Sequence, residues 1–158
     1  MELTFEIITL SVLIALSGFF SGLEVALVGV TRSKVNQMLS KKLPGAKSLH
    51  KLKSNPSRMM ASVNLGNNLV NVASTALATS IALKIFENNG LAIVIGAMTF
   101  LILVFGEITP KTYCNANAAK IALRYSRVLL AFSYAFYPVV WIFEQITKGI
   151  IKLTGSSQ

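Results

Sequence analysis

Cysteine and histidine are nearly absent from this chain: Cys114 and His50 are each the only residue of their kind among 158. A lone cysteine excludes an intramolecular disulfide framework, and the two together leave no cluster of the sort that holds zinc or copper. Charge is scarce as well, at 13% of residues against a hydrophobic share of 53% and a mean hydropathy of +0.62. A soluble fold with so little polar surface could not cover itself, so lipid must cover part of it. The amino terminus opens on acids and lacks the basic region and small-residue cleavage site of a signal peptide. The first apolar run is therefore expected to stay in the mature protein.

What charge there is has one dominant sign, a net +9. Nucleic-acid binding would need the basic residues gathered on a folded face beside aromatic or groove-entering elements. Here they lie between apolar runs, as in membrane proteins, where Lys and Arg hold loops on the cytoplasmic side. No nucleic-acid partner is expected.

Residues 7–23 are uncharged, and apolar character resumes after Glu24 through Val30, enough for a first bilayer span. From Arg32 to Arg58 there are eight Lys or Arg and no acid. Val35, Met38, Leu39, Leu43, Leu49 and Leu52 within it are helically spaced, and Pro44-Gly45 separates two short amphipathic helices. Asn55-Pro56-Ser57 reads as a helix start. Residues 59–83 form a second uncharged span, a short turn at Phe86-Glu-Asn-Asn-Gly90 follows, and residues 88–106 form a third. With the basic loop inside, the amino terminus lies outside and the third span returns to Lys111, Lys120, Arg124 and Arg127.

Hydropathy alone would make residues 128–143 a fourth crossing, but the run is short and contains Pro138. An aromatic-rich helix or bent helix pair along the inner interface accounts for it better, because Tyr and Trp favour that level. The expected architecture is all-α and multi-pass. A three-span core occupies residues 1–127, with a basic cytoplasmic loop at 31–57 and an inner helix at 112–127. A juxtamembrane belt helix at 128–154 and a polar tail at 155–158 complete it.

Polar residues inside a span are costly and mark function by default. Asn64, Asn67, Asn68 and Asn71 occupy i, i+3, i+4 and i+7 of the second span, a stripe continued by Ser74 and Thr75. Two readings are open: interhelical hydrogen bonds that knit the bundle at roughly 1 kcal/mol each, or an ion site. Glu107 favours the second. It precedes Pro110, and a helical proline frees the carbonyl four residues back, that of Gly106. The break expected there offers an anionic side chain beside an unpaired backbone oxygen. Ser21-Gly22 in the first span can supply a hydroxyl, a kink and freed carbonyls.

The plainer reading of Glu107 is a helix-end pair with Lys111, worth a few tenths of a kcal/mol, and Glu24 is expected to pair with a nearby Lys or Arg. If the amides face Ser21 and Glu107, the donors are hydroxyl, amide and carbonyl oxygens with one carboxylate. Such hard ligands suit Mg2+, Ca2+ or Na+. A single carboxylate leaves a divalent ion incompletely neutralised, which favours release over storage. No Ser/His, Asp/Asp or metal-protease pairing occurs in the spans, so no catalytic residue and no enzymatic activity is expected.

Three motifs, Ser17-Gly-Phe-Phe-Ser-Gly-Leu-Glu24, Leu65-Gly-Asn-Asn-Leu-Val-Asn71 and Phe105-Gly-Glu-Ile-Thr-Pro-Lys111, stand in this order across nearly the whole chain. Together they resemble the transmembrane domain of the CNNM/CorC magnesium transporters. The resemblance implies a homodimer of three-span protomers with a juxtamembrane belt, moving Mg2+ out of the cell against Na+. It also implies that Ser21, Asn67, Asn71 and Glu107, with backbone oxygens near Gly22 and Gly106, line the Mg2+ site. Glu24, Asn64, Asn68, Pro110 and Lys111 would stand in support. The family continues into an ATP-binding pair of CBS modules, which this chain, ending at Gln158, is expected to lack, and nucleotide regulation with them. A second reading is a Mg2+-responsive anchor that dimerises other domains and moves nothing. It rests on the small residues Ala73, Ala76, Ala78, Ser80 and Ala82, which allow close helix approach.

Overall fold

The computed structural model describes residues 2–86 and 90–155. Regular structure among them is wholly helical: α1 (Leu3–Gly29), α2 (Arg32–Ser40), α3 (Ala46–Ser54), α4 (Pro56–Ile85) and α5 (Leu91–Ile102) come first. A π-helical segment (Leu103–Ile108) follows, then α6 (Thr109–Ala116), α7 (Ala118–Ala135) and α8 (Tyr137–Leu153). Three rods are long and apolar enough to cross a bilayer: α1, α4, and the continuous run Leu91–Ala116. Their outward faces carry Ile8, Val12, Val72, Ile93, Phe100 and Phe105, all exposed, as a lipid-facing surface requires. The chain is thus an all-α membrane domain. Residues 87–89 of the turn expected at Phe86–Gly90, and 156–158 of the polar tail, lie outside the described residues.

Local signals placed the helix starts. The Thr31 hydroxyl accepts the Lys34 N–H at 3.2 Å to open α2, and the Asn55 side chain accepts the Arg58 N–H at 3.2 Å to open α4, with Pro56 in its first turn. Between α2 and α3 the chain reverses at Gly45, whose φ of +88° suits glycine. A Cβ there would also overlap the Leu123 carbonyl. The α1 carboxyl end is held by Lys53, whose Nζ donates to the Leu27 carbonyl at 2.9 Å. Burial, and then the charge of Arg32, lower the Lys53 pKa from the ordinary lysine value.

The main apolar core lies at the basic-loop end. Leu23, Ala26 and Leu27 of α1 pack there with Val35, Met38, Leu49 and Leu52 of the loop helices, Met59 and Val63 of α4, and Ala122 and Leu129 of α7. A smaller cluster of Leu10, Ala78 and Ile81 closes the opposite end of the α1–α4 pair, where Glu6, buried at 3% exposure, pairs with Lys84. The polar residues of the spans lie between these two plugs.

One expected boundary in the carboxyl-terminal part meets different geometry. The inner helix expected at 112–127 is interrupted at Asn117, and α7 runs without a break through residue 128 to Ala135. Of the two forms expected beyond it, a helix or a bent helix pair, the chain takes the second: α7 and α8 meet at 86° at Phe136. Pro138 falls in the first turn of α8, where its missing N–H has no partner to lose.

Candidate ion site

The hydroxyls, amides and carboxylate of the three rods join in one hydrogen-bonded chain. On α1, Ser17 and Ser21 are fully buried and one helical turn apart. Ser21 Oγ donates to Asn67 Oδ1 at 3.1 Å, and Asn71 Nδ2 donates to the same oxygen at 3.3 Å. Asn71 Nδ2 also reaches Glu107 Oε1 at 3.1 Å. Ser17 Oγ lies 2.5 Å from Asn71 Oδ1 and 3.3 Å from the Gly106 carbonyl, so its single proton serves one acceptor or the other. Oxygens from Ser17, Ser21, Asn67, Asn71, Gly106 and Glu107 therefore converge from three separate stretches of chain.

Glycine permits the convergence. A Cβ on Gly106 would stand 3.1 Å from Ser17 Oγ, and one on Gly18 would stand 2.9 Å from the Pro110 ring. A Cβ on Gly66 would overlap the Phe20 ring. Each position lets one rod touch another where a side chain would hold them apart.

The structure brings Ser21, Asn67, Asn71, Gly106 and Glu107 together, and adds Ser17, which the sequence reading quoted in a motif but did not assign. Its position four residues before Ser21 put it on the same helix face. At Gly22 the helix α1 is unbroken, and the missing side chain makes room for Cys114 and the Pro110 carbonyl. Nor does Pro110 break its helix. The turn before it widens to π geometry, with the Thr109 N–H bonding to the Val104 carbonyl, and the rod continues into α6. The Gly106 carbonyl then faces Ser17 across the helix interface.

Asn64 and Asn68 are exposed and line a different groove, about 490 Å³, between α4 and Phe143 and Thr147 of α8. Lys111 pairs with Glu24 at 3.8 Å, as expected of Glu24, and this replaces the pair with Glu107. Beside Asn71 and Glu107 a cavity of about 190 Å³ opens between α4 and α5, lined partly by the hydroxyl-bearing Thr75, Thr79 and Thr99. Among the described residues no three His, Cys, Asp or Glu side chains converge. The cluster's donors are neutral oxygens with the Glu107 carboxylate.

A polytopic α-helical membrane domain with an oxygen-rich polar centre is the class these features define. The family model for the cyclin M (CNNM) transmembrane N-terminal domain matches residues 7–158. The chain belongs to the CNNM family. A UPF0053 protein of Haemophilus influenzae is 34% identical over 148 residues, which cover 94% of this chain and 35% of that protein. The UPF0053 inner membrane protein YfjD of Escherichia coli is 33% identical, covering 89% of this chain and 33% of its own length. A chloroplastic DUF21 domain-containing protein of Arabidopsis thaliana is 35% identical, covering 92% of this chain and 22% of its own length. The chain thus spans about a third or less of these curated relatives.

Proposed function

We propose that this domain carries Mg2+ out of the cell across the cell membrane, driven by exchange with Na+, and works as a homodimer. The observation that carries the reading is the single network joining Ser17, Ser21, Asn67, Asn71, the Gly106 carbonyl and Glu107. Its six oxygens match in number and hardness the octahedral shell of Mg2+. Two hydroxyls, two amides and a carbonyl orient the ion, and one carboxylate supplies half the neutralising charge, so the ion is held loosely enough to leave. The threonine-lined cavity beside Glu107 supports a path along the α4–α5 seam.

A specific observation also favours the anchor reading. The groove of α4 presents Asn64 and Asn68 among Ala61, Ala73 and Ala76, a surface suited to helix association without transport. Flux separates the two. Liposomes bearing the purified chain and a trapped Mg2+ dye are expected to pass Mg2+ faster when Na+ runs in the opposite direction. Mg2+ binding with no flux under either Na+ gradient would leave the anchor reading in its place.

Ser17→Ala tests the residue missed in the sequence. It removes the hydroxyl between Asn71 and Gly106 while leaving the packing volume nearly intact, so the apparent Mg2+ affinity is expected to fall about tenfold, the scale of one lost polar contact. An unchanged affinity would confine Ser17 to helix packing.

A further inference from the structure

Another cavity lies away from the oxygen cluster, where the start of α4 meets α3 and the end of α7. It measures about 130 Å³, and its walls include Lys51, Asn55, Arg58, Leu130, Ser133 and Tyr134. With water occupying about 30 Å³ per molecule, the space has room for a tetrahedral oxyanion. Arg58 is the unusual member: its Nε and Nη2 are both buried without a hydrogen-bond partner. Its guanidinium lies 4.4 Å from the Tyr137 ring centre and 5.4 Å from that of Tyr134, and Lys51 Nζ approaches the Tyr134 ring to 5.1 Å. Ring faces attract both cations but accept no N–H bond of carboxylate strength.

Two cations thus share one aromatic ring, and among the described residues neither enters an ion pair. From residue 25 to residue 86 the chain contains neither Asp nor Glu. The ion pairs among the described residues engage Glu6, Glu24 and Glu144, with Lys84, Lys111 and Lys148. We propose that this cavity binds a phosphate group. Arg58 and Lys51 would supply the two positive charges that hold it, and Ser133 lies in the wall. Tyr134 in the wall and Tyr137 against Arg58 are aromatic residues of the kind enriched at the level of lipid headgroups. The phosphodiester of an anionic lipid and free phosphate share this chemistry, and a lipid bound here would tie the start of α4 to the α7–α8 bend.

Native mass spectrometry of the purified chain, titrated with phosphatidylglycerol or phosphatidylcholine, reads the site directly. Thermal unfolding in detergent with and without inorganic phosphate distinguishes the second source. Arg58→Gln and Lys51→Gln are compared with the parent; the second changes an exposed residue and keeps the test alive should the first fail to fold. Phosphatidylglycerol held at least about tenfold less tightly by the variants, the scale of one charge-assisted pair, with phosphatidylcholine unaffected, supports a lipid headgroup. Stabilisation of the parent alone by inorganic phosphate, without lipid preference, supports free phosphate in the same cavity. Equal lipid affinity in parent and variants with no response to phosphate overturns the proposal.

Discussion

Glu107→Gln is expected to abolish Mg2+ flux in proteoliposomes and to leave the fold standing. The amide keeps the shape of the side chain, and its oxygen still accepts from Asn71 Nδ2, now 3.1 Å from Glu107 Oε1. What disappears is the one carboxylate in a cluster otherwise built of neutral oxygens. An ion that has shed its water among such donors depends on that charge. Removing one partner of a desolvated pair costs about 3 kcal/mol at the lower end of the usual range, which suits a half-buried group and corresponds to at least about 100-fold in affinity. Thermal unfolding should change little. Flux equal to the parent's would remove Glu107 from the site, and a collapse in stability would instead identify it as a helix-bundle strut.

The other large effect is expected at Gly66, and it falls on the fold. A Cβ at this position would overlap three atoms of the Phe20 ring. That ring cannot swing clear, because it is 8% exposed and wedged edge-on against Phe19 at 5.4 Å and Phe132 at 5.3 Å between ring centres. Gly66→Val must therefore push α1 from α4 or force Phe20 off its rotamer. Overpacking of this kind costs about 1–3 kcal/mol, read as a lower unfolding temperature in nanodiscs. Since Gly66 adjoins Asn67, the same strain should part Ser21 from Asn67 and weaken Mg2+ binding. Combining it with Phe20→Ala should return part of the stability, and a valine variant as stable as the parent would show the contact to be soft.

The two variants differ in what they leave intact. On the proposed reading Glu107 acts through charge in a frame that other residues hold, whereas Gly66 is part of that frame. The proposed site and the packing that holds it thus share the crossing of α1 and α4, with an apolar cluster toward either end.

Much of this was legible in the linear chain. Uncharged runs marked the three rods, Asn55-Pro56 marked the start of α4, and Pro44-Gly45 marked the break between α2 and α3, because each rests on local backbone chemistry or on hydrophobic length. The oxygen character of the centre was legible too, since almost no other ligand type is present to build it. Tertiary structure decided which of those oxygens meet. The four asparagines spread over about 100° of helix surface, and only the crossing of α1 determines that Asn67 and Asn71 are covered while Asn64 and Asn68 face the α8 groove. Likewise a glycine can kink a helix or admit a neighbour, and Gly22 does the second because Cys114 lies against it. Periodicity reports which residues share a face; the partner that covers part of that face is set by contacts far apart in sequence.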